Sequence, residues 1–157
     1  MTIPRHITDF LDSQHVPYLH GTHKIEFTAQ EIAHAAHVSG KVLAKAVMVK
    51  AGNRLIMAVL PASHHISLSA LGRLLDTQSV RLATEEEFKS LFPDCEVGAM
   101  PPLGNLYHLD VWFDVALRQH SVIVFNAGTH TDTLQMNLAD VERIVQPHVG
   151  KFAWILH

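Results

Sequence analysis

Lys45 interrupts an otherwise apolar run, with Leu43 and Ala44 before it and Ala46 and Val47 after it. An ammonium among such neighbours is costly unless it meets an anion or reaches water. Two readings fit: a functional cation that something uses, or a lysine on an edge strand, pointing to solvent, where it blocks sheet-to-sheet pairing. A second candidate is the loop Glu96-Val97-Gly98-Ala99-Met100-Pro101-Pro102-Leu103-Gly104. Its doubled proline stiffens the backbone while its glycines let a ligand approach bare N–H groups. The third is Asn126-Ala127-Gly128-Thr129-His130, where a strand ending in Asn and Gly can aim amides and one imidazole into a cleft. Taken singly, the second reads as a rigid connector and the third as a turn.

Other chemistries find less support. His20 and His23, His34 and His37, and adjacent His64 and His65 look superficially like metal ligands. Catalytic zinc needs three converging ligands, commonly with an i, i+4 helical pair, and no such pattern is present, so no metal and no cofactor are expected. These side chains are expected in solvent. No G-x-S-x-G nucleophile elbow occurs. Trp112, Trp154 and the seven Phe read as core or rim packing rather than a base-stacking platform.

The elements that must position these residues belong to one domain, for the 157 residues are 48% hydrophobic and 17% charged, with no linker, repeat or low-complexity tract. The formal charge is −3 with all 13 histidines neutral, and partial protonation of the imidazoles at pH 7 adds roughly +3. A near-neutral chain does not grip a long nucleic-acid backbone, which excludes DNA and leaves contact with a short terminus. Cys95 is the one cysteine, and the first residues lack the basic segment and apolar run of a secretory signal. A reducing, cytoplasmic setting is the expectation, with no span near the roughly 20 residues a bilayer crossing needs.

Apolar spacing predicts a helix over 3–14, closed by Pro17, and Thr28 with Glu31 forms a capping box for a helix ending near Gly40. A strand over 42–49 pairs with one over 55–60 in a hairpin. Ser67 or Ser69 caps a helix, 79–82 is a short strand, and the capping box of Thr84 and Glu87 opens a helix that Pro93 stops. Residues 95–109 read as loop, 110–114 and 121–126 as strands, 133–136 as a further strand, and Asn137 opens a last helix.

In order and spacing these pieces resemble the YbaK and prolyl-tRNA synthetase associated editing domains over about residues 22–147. The resemblance rests on the Thr28 and Glu31 helix start, Lys45, the 98–104 loop, Asp114 ending a strand, Asn126-Ala127-Gly128, and Asp140 in the last helix. It implies an α+β fold with a curved mixed sheet and flanking helices, spanning residues 1–157 as one domain. It also implies a pocket for the 3′ end of a charged tRNA and hydrolysis of the aminoacyl ester in trans. Carried over by position, Lys45, Gly98 and Gly128 are the implied catalytic residues, Lys45 lying near the ester and terminal phosphate. Ala99, Met100, Pro101, Pro102 and Gly104 belong to the loop that cradles the aminoacyl-adenosine. Ala46, Asp114, Asn126 and Ala127 line the same pocket, and His130 helps position a ribose hydroxyl. The alanine-specific branch often carries Asn after the strand lysine and the cysteine-specific branch Thr, whereas Ala46 stands here.

The chemistry agrees with that implication, because an aminoacyl ester is already activated and needs only an oriented water and donors for the developing oxyanion. The expected activity is a trans-editing deacylase acting on tRNA mischarged with a small amino acid. Ala44, Ala46, Gly98, Ala99, Ala127 and Gly128 are the expected small-residue neighbourhood. A synthetase is a further expected partner, and the alternative is a non-catalytic module that binds aminoacyl-tRNA ends, adenylate-like ligands or a synthetase.

Overall fold

The computed structural model describes residues 2–22 and 41–155. The helix expected after Thr28, together with His23, His34 and His37, lies outside the described residues. Along the chain run α1 (Arg5–Ser13), β1 (Leu19–Thr22), β2 (Lys41–Ala51), β3 (Arg54–Pro61), β4 (His65–Ile66) and α2 (Leu68–Leu75). There follow β5 (Val80–Leu82), α3 (Glu85–Phe88), β6 (Asp110–Asp114), β7 (Val122–Asn126), β8 (Asp132–Asn137), α4 (Leu138–Val145), β9 (His148–Gly150) and β10 (Ala153–Trp154).

Among the described residues an eight-stranded mixed sheet has the order β1-β8-β7-β2-β3-β6-β9, with β5 joined to β2. The hairpin β2–β3 closes from Ala51↔Arg54 through Gly52, whose φ of +60° is accessible to glycine at little cost. Strand alternation in β2 sends Val42, Ala44 and Met48 into the main core with Phe113, Ile123 and Phe125, where Ile7 and Leu11 of α1 and Val141 of α4 cover the sheet. The opposite face carries Val49, Ala58 and Leu60, packed with Leu71 of α2 and Phe152.

The capping box forms as its spacing predicts, the Thr84 N–H donating to Glu87 Oε1 at 2.8 Å. Its helix is only Glu85–Phe88, and the chain then tightens into a 3-10 turn at Lys89–Leu91 before Pro93. Ser67 is the cap of α2, accepting from the Ala70 N–H at 3.2 Å. The 95–109 stretch departs from a plain loop with a 3-10 turn at Gly104–Tyr107. There Gly104 leaves no room for a side chain, because a Cβ would meet Val111 Cγ2 at 2.7 Å. Spacing also gives no hint of β1, β4, β9 or β10, which are two to four residues long and leave too little alternation to read.

Candidate active site

β2 is the strand that positions Lys45, and it lies in the middle of the sheet rather than on an edge. The edge-strand reading of that lysine therefore does not hold. On one side β3 pairs with β2 from Ala44 to Ala51. On the other side the parallel partner β7 pairs only from Lys41 to Leu43, and β5 joins only at Val49. Lys45 sits in the gap between β7 and β5.

One transverse row of residues crosses the sheet at this level. Gly21 pairs with Thr133, and Thr133 with Asn126. Two residues beyond the last parallel pair, Leu43↔Val124, alternation returns Lys45 and Asn126 to the face that Leu43 and Val124 share. Lys45 pairs with Leu60. One residue beyond Val59↔Phe113 stand Leu60 and Asp114, and Asp114 pairs with Gly150. Lys45, Asn126 and Asp114 thus share one face, with Thr133 as a further polar neighbour.

Burial pushes the Lys45 ammonium below its ordinary pKa, and among the described residues no carboxylate pairs with it. A half-buried cation without a counter-ion attracts an anion. His64, just beyond the end of β3, lies in the electrostatic reach of both Lys45 and Asp114. Burial holds its imidazole below the ordinary value, Asp114 opposes that, and Lys45, His65 and His120 reinforce it. His64 therefore favours the neutral form that can accept a proton.

Asp114 is only 1% exposed, and its carboxylate is engaged by backbone. Oδ2 accepts from the Ala116 N–H at 2.8 Å, while Oδ1 accepts from the Phe152 and Ala153 N–H groups, each at 2.8 Å. It anchors the C-terminal segment at the edge of an open cleft.

The glycine loop and the Asn126 turn are clasped together beyond the end of β7. The Glu96 N–H donates to Gly128 O at 2.7 Å, and the Gly128 N–H to Ala99 O at 2.8 Å. His130 Nε2 lies 2.8 Å from Val97 O, and because a carbonyl only accepts, that nitrogen carries the proton. Gly98, at φ +85°, is exposed beside the His130 ring. Its N–H meets no acceptor among the described residues, which leaves it available to a ligand.

The remaining expected site residues lie elsewhere. Ala46 and Ala127 alternate away from Lys45 and Asn126 and pack against the main core, as Ala44 does. Ala99 is fully buried, Met100 and Leu103 join that core, and Pro101, Pro102 and Gly104 are buried as well. The expected small-residue neighbourhood is largely a packing feature. Gly128 has φ +94°, and a Cβ there would meet Pro4 Cδ at 2.5 Å, so bulk at this position strikes α1's entry.

Of the paired histidines, His20 and His65 are exposed as expected and His64 is half-buried, and exposure does not prevent hydrogen bonding. His20 Nε2 meets Asp132 Oδ1 at 2.7 Å, and Thr129 donates to Asp132 Oδ2 at 2.6 Å. His6 Nδ1 donates to Asp94 Oδ2 at 2.7 Å, beside Cys95, whose thiol burial pushes up to about 11. That Cys95 is a poor nucleophile. Among the described residues no three His, Cys, Asp or Glu side chains converge as a metal site would need. Sequence reading missed Thr133 and the placement of His64, because both depend on strand register, which spacing along one segment does not reveal.

These features define an open polar site around a half-buried lysine, where the sheet is incompletely paired among the described residues. The chain belongs to the aminoacyl-tRNA editing domain family, whose profile matches residues 23–144. Among curated proteins, none matches significantly. The fold is similar to a crystal structure described as a candidate trans-editing enzyme for prolyl tRNA synthetase, at TM-score 0.79 and 19% identity over 96% of both chains. It is also similar to a hypothetical protein, at TM-score 0.78 and 16% identity over 94% of this chain and 99% of that one. A candidate signal transduction protein from Marinobacter aquaeolei contains the same fold in 31% of its length, at TM-score 0.74 and 15% identity over 97% of this chain. Among the described residues no helix is long and apolar enough to cross a membrane.

Proposed function

We propose that this protein is a trans-acting aminoacyl-tRNA deacylase that hydrolyses the ester of a tRNA mischarged with a small amino acid. It works in the cytoplasm, where a synthetase can hand over the mischarged product. The observation that carries this reading is Lys45, a half-buried ammonium without a carboxylate among the described residues, set where β2 has lost β7.

The terminal phosphate, or the oxyanion that forms on the ester carbonyl, supplies the anion that Lys45 lacks, while Asn126 and Thr133 beside it offer hydrogen bonds to the ribose hydroxyls. Water attacks the ester carbonyl, and the oxyanion that forms is stabilised by Lys45 and the Gly98 N–H. Collapse of the tetrahedral species breaks the bond to the ribose oxygen. That oxygen takes up a proton, ultimately the one the water gives up, leaving a free amino acid and an uncharged tRNA end. Orientation supplies most of the rate, so no protein nucleophile is required.

The test is incubation of the purified protein with a panel of mischarged tRNAs. Turnover beyond one equivalent, abolished by Lys45→Ala in a protein that melts at the wild-type temperature or higher, is the expected result. Stoichiometric binding without turnover supports the binding-module alternative instead, and wild-type turnover in Lys45→Ala removes the lysine from the chemistry.

A further inference from the structure

We propose that the cleft between His64, Lys151 and Trp154 is a nucleic-acid subsite for the unpaired nucleotides that precede the terminal adenosine of the tRNA. This rests on the deacylase reading above.

The cleft has a volume of about 520 Å³, within the range of small-ligand sites. Its rim presents Val115, Trp154 and Ile155, exposed by 41%, 46% and 38%, an apolar group for which packing offers no use. β10 pairs with β4 at Trp154↔His65, which holds the indole against the His65 ring with centroids 4.6 Å apart and planes inclined by 32°. The indole is thus fixed by its neighbours while much of its surface stays open. A preset aromatic face is what a base stacks on, so for Trp154 the exposure of the ring replaces the packing role expected from sequence.

Charge fits the same occupant. Lys151 lines the cleft, is exposed, and has no carboxylate partner among the described residues. Asp114 lies on the cleft floor, but both its oxygens already accept backbone N–H groups. His64 lines the cleft and sits in the field of Lys45, so the cleft opens beside the reacting site. Asp114 and Lys45 are two strand spacings apart, about 10 Å. A strand whose last nucleoside meets Lys45 therefore reaches Trp154 with a nucleotide close upstream. Three features meet here: an aromatic face, a flanking cation and continuity with Lys45.

The experiment compares two substrates that differ only in the upstream nucleotides: a full-length mischarged tRNA and the corresponding 2′(3′)-O-aminoacyl-adenosine. Trp154→Ala should lower kcat/KM on the tRNA by about tenfold, the scale of one lost base stack, and leave the aminoacyl-adenosine unchanged. Trp154→Phe should restore most of the loss, which separates stacking from folding. Equal loss on both substrates, or no loss on the tRNA, overturns the subsite. A second readout does not need hydrolysis. With Trp112→Phe as background, the fluorescence of Trp154 should be quenched by uncharged RNA ending in CCA, and Lys151→Ala should reduce the salt slope of that binding by about one. If the wild type hydrolyses neither substrate, the deacylase reading fails while the quench still decides the subsite: its presence upholds it, its absence overturns it.

Discussion

Replacing Asp114 by Asn separates an anchor from a ligand group, two roles that the resemblance to editing domains does not distinguish. The carboxylate is 1% exposed and receives three backbone N–H groups, from Ala116, Phe152 and Ala153. An Asn can keep its oxygen toward Phe152 and Ala153, but its NH2 then faces the Ala116 N–H, donor against donor. Hydrogen bonds to charged groups contribute about 1.5–3 kcal/mol each, so losing one and weakening two costs about 3 kcal/mol. For a chain of this length each kcal/mol corresponds to about 2–4 °C, which puts the expected fall in Tm at about 6–12 °C. A thermal melt followed by circular dichroism measures it. Trp154 emission offers a local readout, since the segment released is the one that carries this residue. An unchanged Tm together with a raised KM for mischarged tRNA refutes the anchoring argument and returns Asp114 to the substrate.

Acid stability should depend on Asp132. Burial raises its pKa, yet the Thr129 hydroxyl and the His20 ring hold it, on balance, below the ordinary carboxylate value. A depressed carboxylate stabilises above its unfolded pKa and loses that contribution as pH falls through the folded value, so the Tm gap between wild type and Asp132→Asn should shrink below about pH 4. Gly128→Ala should lower Tm by several degrees whatever the substrate, through its positive φ and the Pro4 contact, and a variant of wild-type stability contradicts that geometry. Binding of uncharged tRNA should show a shallow salt dependence, and a slope implying six or more phosphate contacts is the result that defeats recognition of the terminus alone.

Most long elements were legible in the sequence because their apolar spacing reports directly on one buried face. The stripe of Leu138, Val141, Ile144 and Val145 is buried as its spacing predicts, and the β2–β3 hairpin forms where expected. Two kinds of feature were not legible. Short pairings such as β4 with β10 are stabilised by partners distant in sequence, so nothing local marks them. Sidedness was the other: Ala46 and Ala127 stand next to Lys45 and Asn126 in the chain, but alternation turns them to the opposite face and into the core. Proximity in sequence thus overstated the small-residue lining of the site, while Thr133, remote in sequence from Lys45, was passed over.

The same topology supports the role proposed for Lys45. On an edge strand, its ammonium would meet water at little cost and serve against aggregation. In the middle of the sheet it is half-buried instead, and an apolar side chain of similar size would gain about 1 kcal/mol from the same partial burial, roughly half the value for full burial. A fold built for stability alone has no use for a cation there. Yet among the described residues the strand partner on that side stops at Leu43, and the next one begins at Val49, which leaves a way in for an outside anion. On the proposed reading the gap and the cation account for each other: something negatively charged enters between β7 and β5, and the phosphodiester end of an aminoacylated strand carries such a charge beside an ester.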